Sequence, residues 1–199
     1  MPDLKRLLLA TTNPGKVSEY TELLAGLRVI VTTLKEAGIR DIVEETGVTI
    51  EENAILKART YSDLSGLLTI ADDSGLEVDA LGGEPGVRSA RYGGASTAEA
   101  RNQILLDKLN GIPPAQRTAR FRCVIAVTGP GLAVETSEAT CEGAIAKSPL
   151  GTNGFGYDPI FHIPKTGLRM AQLSSREKNL ISHRGKAMAG ARPLVEALL

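Results

Sequence analysis

Apolar and polar positions in the first third of the chain alternate between strand-like and helix-like patterns. Short apolar runs at 7–10, 29–33 and 67–71 predict three buried strands, each closed by polar or turn-forming residues. Between the first two runs, Val17, Tyr20, Leu24 and Leu27 recur at helical spacing, which predicts a helix. The opening of the chain therefore predicts a strand, a loop and a helix in succession.

Two pairs of residues have the spacing of a helix capping box. Thr49 with Glu52 predicts a helix from about 51 to 64. Ser96 with Glu99 predicts another helix, which should stop before the prolines that follow it. The polar 34–47 segment, between the second predicted strand and the first of these helices, has no assignable pattern.

The second half of the chain combines a hairpin pattern with glycine-marked loops. Alternation across 118–146, with a turn at 128–131, predicts a β-hairpin. The glycine-rich 80–95 and 148–157 segments predict loops. Apolar residues near the end share one helical face, and Pro193 within it predicts a kink or a late break. Strands interleaved with helices predict an α/β fold with a mixed β-sheet.

Composition narrows the possible classes of protein. The 199 residues suit a single domain, 1–199, and the 23 basic and 23 acidic side chains do not favour a nucleic-acid partner. Cys123 and Cys141 lie in apolar stretches without a metal-binding motif, which predicts buried, reduced thiols. No signal peptide or membrane span is recognisable, so we expect a cytoplasmic protein without a membrane partner.

The turn after the first predicted strand is a candidate phosphate site. It consists of Thr11, Thr12, Asn13, Pro14, Gly15 and Lys16. Backbone N–H groups at a helix start, beside a lysine, suit phosphate oxygens. It is not a P-loop, because Ala10 and Val17 stand where GxxxxGK[ST] requires Gly and Ser or Thr. An ordinary turn with a solvated lysine is the alternative.

Acidic pairs follow the third strand and occupy the unassigned segment. Asp72 and Asp73 end an apolar run, where open α/β sheets place ligands, and carboxylates of this kind suit Mg²⁺. A helix cap or an Asx turn is an equal alternative for them. Glu44 and Glu45 form a second acidic pair, which would by itself be a solvated surface.

A third group of candidate residues lies toward the end of the sequence. Phe155, Gly156, Tyr157 and Asp158 combine aromatic rings with a glycine that permits close backbone approach, so a ring could stack on a base. Two cations, Lys178 and Arg184, could neutralise phosphate. Phe155 in a core and His183 as a helix cap are the structural alternatives. Together, the three groups favour a site for a nucleotide and a magnesium ion.

Five ordered segments carry a family resemblance that covers nearly the whole chain, from about Leu7 to Ala187. They are TTNPGKVSEY, EETGVTIEENAILKA, ADDSGLEVDALGGEPGVRSARYGG, GTNGFGYDPIF and SSREKNLISHRGKA. In order and spacing they resemble the inosine/xanthosine triphosphate pyrophosphatase (ITPase-like) family. The resemblance implies a homodimeric enzyme with an elongated mixed sheet flanked by helices, and two lobes with a central cleft. It also implies hydrolysis of ITP, dITP and XTP to the monophosphate and pyrophosphate, which cleanses the nucleotide pool.

The resemblance also implies roles for individual residues. Asp73 would be the general base and a Mg²⁺ ligand together with a glutamate of the 44–45 pair. We prefer Glu44 and keep Glu45 as the alternative, because the spacing does not choose between them. Lys16 would share in catalysis. The implied substrate contacts are Thr11, Thr12, Asn13, Pro14, Gly15, Lys16, Ser74, Phe155, Gly156, Tyr157, Asp158, Lys178, His183 and Arg184. Lys57 and Arg91 match positions near the family's site without an assigned step.

The chain departs from the family pattern at two places. The family often has Gly where Thr12 stands, and a Trp-Pro-Gly step where Glu142, Gly143 and Ala144 stand. Because of the second departure, the resemblance does not define which residues form the wall of the pocket on the side of the base. Two other classes compete with the hydrolase: a nucleotide-binding regulator without chemistry, and an enzyme of similar fold acting on modified pyrimidine or methylated nucleotides.

Overall fold

The computed structural model describes residues 4–199 and has an α/β fold with one seven-stranded sheet. The strands are β1 (Lys5–Leu9), β2 (Val29–Thr33), β3 (Leu68–Val78), β4 (Thr118–Thr128), β5 (Glu135–Ile145), β6 (Phe161–Ile163) and β7 (Leu168–Arg169). Their order is β2-β1-β3-β4-β5-β6-β7. Strand β1 runs parallel to β2 and β3, whereas β6 runs antiparallel to β5 and β7. This mixed sheet confirms the predicted fold class.

Five α-helices accompany the sheet in the described residues. They are α1 (Pro14–Leu23), α2 (Ile50–Ser65), α3 (Ala98–Lys108), α4 (Ser175–Ile181) and α5 (His183–Ala197). The predicted capping box of α2 is confirmed, because Thr49 and Glu52 bond to each other's backbone N–H groups. The box predicted at Ser96 is wrong by one position. Thr97 caps α3 instead, since its hydroxyl accepts the N–H of Ala100.

The chain folds as two compact units, each with its own core. The first unit contains 4–73, 123–139 and 185–199, and its core includes Leu7, Tyr20, Ile125 and Val195. The second unit contains 74–122 and 140–184, and its core includes Leu105, Phe161 and Met170. Neither unit is one continuous segment, so a single domain over 1–199 stays a prediction.

Strand β3 differs from its prediction in a way that affects the acidic pair. We expected the strand to end before Asp72 and Asp73, but it continues to Val78. Lys16 and Lys57 compensate the charges of the two carboxylates, as described below. The strand therefore continues through both aspartates instead of ending in a solvent-exposed turn. Burial of Leu76 and Val78 restores the apolar pattern beyond the pair. Both aspartates lie within the strand, so neither of them caps a helix.

Other elements confirm or extend the sequence predictions. The hairpin of β4 and β5 is present, and Cys123 and Cys141 are buried free thiols. Helix α5 continues through Pro193 to Ala197, so the chain does not break at that proline. The 80–95 segment contains short 3₁₀ turns, which the glycine content concealed.

Within residues 4–199, none of the helices has the length and apolar character needed to cross a membrane. The first three residues belong to the segment considered for a signal peptide and lie outside the described residues.

Candidate functional site

The turn between β1 and α1 is shaped by the side chain of Asn13. Its Oδ1 accepts the backbone N–H groups of Gly15 at 2.9 Å and Lys16 at 3.2 Å, so Asn13 is the N-cap of α1. Pro14 occupies the first helical position, where a missing N–H costs nothing. The Thr11 hydroxyl accepts the N–H of Asn13 and closes the turn. Two N–H groups of the turn that we expect to bind phosphate, those of Gly15 and Lys16, therefore donate to the Asn13 side chain in this structure.

Lys16 reaches from this turn to the first aspartate of the acidic pair. Its Nζ lies 2.9 Å from Oδ2 of Asp72, and the Asp72 side chain is almost fully buried. The thiol of Cys123 lies 3.9 Å from the same oxygen and 3.9 Å from the Tyr20 hydroxyl. Asp72 thus forms an ion pair with Lys16, and the buried Cys123 thiol, which also contacts the Tyr20 hydroxyl, lies against the same carboxylate oxygen.

Helix α2 presents two residues to the second aspartate. Lys57 and Asn53 stand one turn apart, so they lie on the same face of the helix. Lys57 Nζ lies 3.7 Å from Asp73 Oδ1 and 2.6 Å from Glu45 Oε1. Asn53 Nδ2 donates to Asp73 Oδ2 at 3.3 Å. Two carboxylates therefore meet one lysine, and each Asp73 oxygen has its own partner.

The surroundings change the proton affinity of both partners. Burial raises the pKa of Asp73 above its ordinary value, and it outweighs the opposing effect of Lys57 and Lys16. Burial alone would lower the pKa of Lys57, but the charges of Asp73, Asp72 and Glu45 reverse this and hold it above its ordinary value. Lys57 therefore stays charged, while Asp73 is a stronger base than an exposed aspartate.

The donor set of this cluster fits Mg²⁺. The ion is usually held by one or two carboxylates that act together with substrate phosphates. Glu45 and Asp73 provide two carboxylates that converge on one point, the Lys57 ammonium. Residues 4–199 contain no ready group of three or more His, Cys, Asp or Glu side chains, as a protein-only metal cage would need. A site completed by phosphate oxygens is the kind that these residues can form.

A second cluster, in the second unit, surrounds the ring of Phe155. Lys178 Nζ lies 4.9 Å from the centre of the ring, and Arg184 Cζ lies 5.4 Å from it. Lys178 also forms a buried ion pair with Asp158, at 2.5 Å. The carboxylate of Asp158 accepts the N–H of Phe155 as well, at 2.9 Å. This carboxylate therefore fixes both the lysine and the loop that carries the ring.

Three of the remaining predicted contacts of the second unit are buried: Tyr157, His183 and Arg184. Arg184 is 2% exposed, and its Nη2 donates to the Ser74 hydroxyl at 2.9 Å. His183 stacks on Phe121 with the ring centres 4.7 Å apart. The Tyr157 hydroxyl donates to the Ser89 carbonyl at 2.9 Å, and burial raises the pKa of Tyr157 to about 12. Tyr157 is therefore a structural member of the loop, whereas Phe155 keeps part of its surface exposed.

The predicted residues differ in how far they are buried. Glu44 is exposed, whereas Glu45 is half-buried against Lys57. Arg91, Thr12 and Pro14 are also exposed. Asn53 has no predicted role, but it is fully buried and donates to Asp73. A polar side chain four positions before Lys57 was the available signal.

Comparison with known proteins identifies the family of the chain. The family model described as the Ham1 family matches residues 7–194. A dITP/XTP pyrophosphatase of Geobacillus kaustophilus is 51% identical over 186 residues, which cover 93% of this chain and 91% of that protein. A dITP/XTP pyrophosphatase of Bacillus subtilis is 48% identical and covers 98% of both chains. The solved structure of a HAM1 protein from Coxiella burnetii has a TM-score of 0.87 at 41% identity, covering 98% of this chain and 100% of that one. The chain therefore belongs to the Ham1 family.

Proposed function

We propose that this protein is a nucleoside triphosphate pyrophosphatase that acts on deaminated purine nucleotides such as dITP, XTP and ITP. Water and the triphosphate would give the nucleoside monophosphate and pyrophosphate, which removes mutagenic precursors from the nucleotide pool. Family membership and the names of the relatives support the reaction and its substrate class. The charge arrangement around Asp73 is the structural observation that carries the proposal.

The first unit supplies what phosphoryl chemistry requires, which is positioning and compensation of charge. Lys16 and the N–H groups of the 11–16 turn are suited to phosphate oxygens. A bound phosphate would accept hydrogen bonds from these N–H groups in place of the Asn13 oxygen. It would also pair with Lys16, either replacing Asp72 or binding alongside it. Pyrophosphatase chemistry explains why buried lysines and buried carboxylates occur side by side.

We assign the Mg²⁺ ligands to Glu45 and Asp73, and we favour Glu45 over Glu44 because only Glu45 is seen against Lys57. When bound, Mg²⁺ would neutralise phosphate charge and polarise the bond to the pyrophosphate group. Lys57 would balance the negative charge of the two carboxylates. Asp73 would orient a water molecule and take its proton as the water oxygen attacks the α-phosphorus.

We assign recognition of the purine base to the second unit. The partly exposed face of Phe155 suits stacking on an aromatic ring, and backbone N–H groups near His183 and Arg184 would face the base. Hypoxanthine and xanthine carry a carbonyl where adenine carries an amino group, so a donor there favours the deaminated bases. An unpaired polar group costs a few kcal/mol, or roughly a hundredfold in rate.

One assay tests the reaction and its substrate class together. The protein is incubated with ITP, dITP, XTP, ATP and a modified pyrimidine triphosphate, with and without Mg²⁺, and pyrophosphate is measured separately from phosphate. We expect pyrophosphate from the deaminated purines and a preference of roughly a hundredfold over ATP. Equal cleavage of ATP and ITP would contradict the base assignment, and binding without any product would support a regulator.

Two aspartate variants test the role of Asp73. Asp73→Asn keeps the shape of the side chain but removes the base, so we expect kcat to fall at least about a hundredfold. Asp63→Asn is the matched control, because Asp63 is exposed on α2. Near wild-type turnover in a folded Asp73→Asn variant would remove Asp73 from the base role.

Two further properties do not follow from the site: the oligomeric state, which rests on the family resemblance alone, and the location in the cell, which rests on the sequence. We propose that the protein is a homodimer and that it works in the cytoplasm. Light scattering on the purified protein measures the first property directly, and a mass of one chain at micromolar concentration would contradict it.

A further inference from the structure

We infer that Asn53 is a positioning residue for the reaction proposed above, because it connects the Asp73 carboxylate to the segment that carries Glu45. The inference rests on the proposed function of the Asp73 cluster, but its contacts are independent of it. Asn53 is 0% exposed, and every polar contact described here lies within the first unit. It touches the carboxylate and the backbone, so we place it behind the reacting groups rather than among them.

The amide of Asn53 has two differently polarised ends, and each has a suitable partner. Its Oδ1 accepts the backbone N–H of Gly47 at 2.7 Å. Its Nδ2 donates to Asp73 Oδ2 at 3.3 Å and to the Gly47 carbonyl at 3.4 Å. The reversed amide would place oxygen against a carboxylate and a carbonyl, which repel it. The contacts therefore fix the orientation of the amide.

Asn53 works in parallel with Lys57, one helical turn further along α2. Both residues bond to the same two partners: the Asp73 carboxylate and the 45–47 segment. Lys57 pairs with Asp73 Oδ1 and Asn53 donates to Asp73 Oδ2. Contacts at both oxygens restrict rotation of the carboxylate group. Helix α2 thus sets the position of Glu45 relative to Asp73 through two side chains.

Gly47 gives independent support for a close contact. A Cβ atom added there would lie 2.7 Å from Asn53 Oδ1 and 2.7 Å from the Cβ of Glu52. The backbone approaches α2 too closely for any side chain at this position. Glycine is therefore needed for the 45–47 segment to reach the amide of Asn53.

Two substitutions separate the two ends of the amide. Asn53→Leu keeps approximately the same size but removes every hydrogen bond. Asn53→Asp keeps an acceptor for the Gly47 N–H, but it replaces the donor to Asp73 with a second carboxylate oxygen, which the Asp73 carboxylate repels. Loss of such supporting partners typically costs about 10- to 100-fold in activity or metal affinity. We expect kcat to fall by about that factor in both variants, with KM for dITP changed less than about threefold.

Hydrogen exchange provides a readout that does not depend on activity. Exchange of the Gly47 amide proton, followed by NMR without metal, should accelerate in Asn53→Leu and stay near the wild-type rate in Asn53→Asp. Calorimetry with Mg²⁺ in the presence of inorganic pyrophosphate, which supplies the phosphate oxygens, should show binding weakened about 10- to 100-fold in Asn53→Leu, because the Glu45 segment is released. If the proposed function is wrong, the wild-type protein will release no pyrophosphate. The exchange rates will still test the contact between Asn53 and Gly47, because they do not depend on activity.

Ser62→Ala is the matched control for general destabilisation of the helix. Ser62 is also buried on α2, but its hydroxyl donates to the Leu67 carbonyl, at the other end of the helix. We expect Ser62→Ala to lower the melting temperature and leave kcat and Mg²⁺ binding unchanged. An equal loss of kcat in Ser62→Ala, or wild-type kcat and exchange in a folded Asn53→Leu, would overturn the inference.

Discussion

The ion pair between Lys178 and Asp158 allows a stability prediction with a definite magnitude. The exposed fractions of the two side chains are 5% and 4%, so water does not screen the charges effectively. Asp158→Asn keeps the shape of the side chain and an oxygen that can accept the N–H of Phe155. It removes only the charge that compensates the buried ammonium group of Lys178.

The expected cost follows from that burial. Removing one partner of a buried pair typically costs about 3–5 kcal/mol, because the other charge stays in a poorly solvated place. For a chain of this length, 1 kcal/mol corresponds to roughly 2–4 °C in melting temperature. We therefore expect Asp158→Asn to lower the melting temperature by roughly 6–20 °C.

Urea unfolding followed by circular dichroism measures the difference in free energy. Lys178→Met in the Asp158→Asn background should recover part of the loss, since it removes the uncompensated charge. Glu196→Gln is the matched control, because Glu196 pairs with Arg192 on the exposed side of α5 and should cost less than about 1 kcal/mol. A loss below about 1 kcal/mol in Asp158→Asn itself would refute the reasoning that this pair is poorly screened.

Three further outcomes are expected. EDTA should abolish pyrophosphate release, and added Mg²⁺ should restore it; full activity after chelation would exclude a metal requirement. Tyr157→Phe should lower the free energy of unfolding by about 0.5–2 kcal/mol in urea titrations, because the Ser89 carbonyl loses its donor, and no loss would contradict that bond. Hydrogen bonds from the Ser174 side chain and backbone lower the pKa of Glu177, so Ser174→Ala should raise it in an NMR titration. The stabilisation from the lowered Glu177 pKa is present above the unfolded pKa and is lost as pH falls through the folded value, so the difference in stability between wild type and Ser174→Ala should narrow in acid.

The sequence predicted elements well where the signal was local. The Thr49 capping box and the β2 strand appear at their predicted positions, because helix caps and short apolar runs depend on neighbouring residues. The box at Ser96 failed since Thr97, the next residue, can cap equally well. Local chemistry alone does not choose between two adjacent hydroxyls.

The sequence failed where distant partners decide the structure. Two adjacent aspartates normally favour a turn, but at 72 and 73 they continue a buried strand because Lys16 and Lys57 compensate them. The lysines lie far away in the sequence, so no local pattern reveals the pairing. Asn53 was missed for the same reason, since its value depends on Asp73, 20 positions away.

The candidate site was predicted mainly through its polar residue types. Carboxylates, lysines and an aromatic ring in glycine-marked segments indicated nucleotide chemistry before any contact was known. Both glutamates fit the same spacing, so the proposal of Glu45 rather than Glu44 as a metal ligand required the contact of Glu45 with Lys57. The pairing of Lys178 with Asp158 was likewise absent from the prediction, which treated the lysine as a partner for phosphate.

The composition of the first unit has a consequence for how the chain matures during translation. Its core joins Leu7 near the start of the sequence to Val195, so this core stays incomplete until the ribosome has made the last part of α5. The second unit contains no residue beyond 184, so its own core does not depend on the last part of α5. Until that last part is made, the apolar side chains of β1 lack part of their covering, and exposed apolar surface of this kind makes an incomplete chain prone to aggregate.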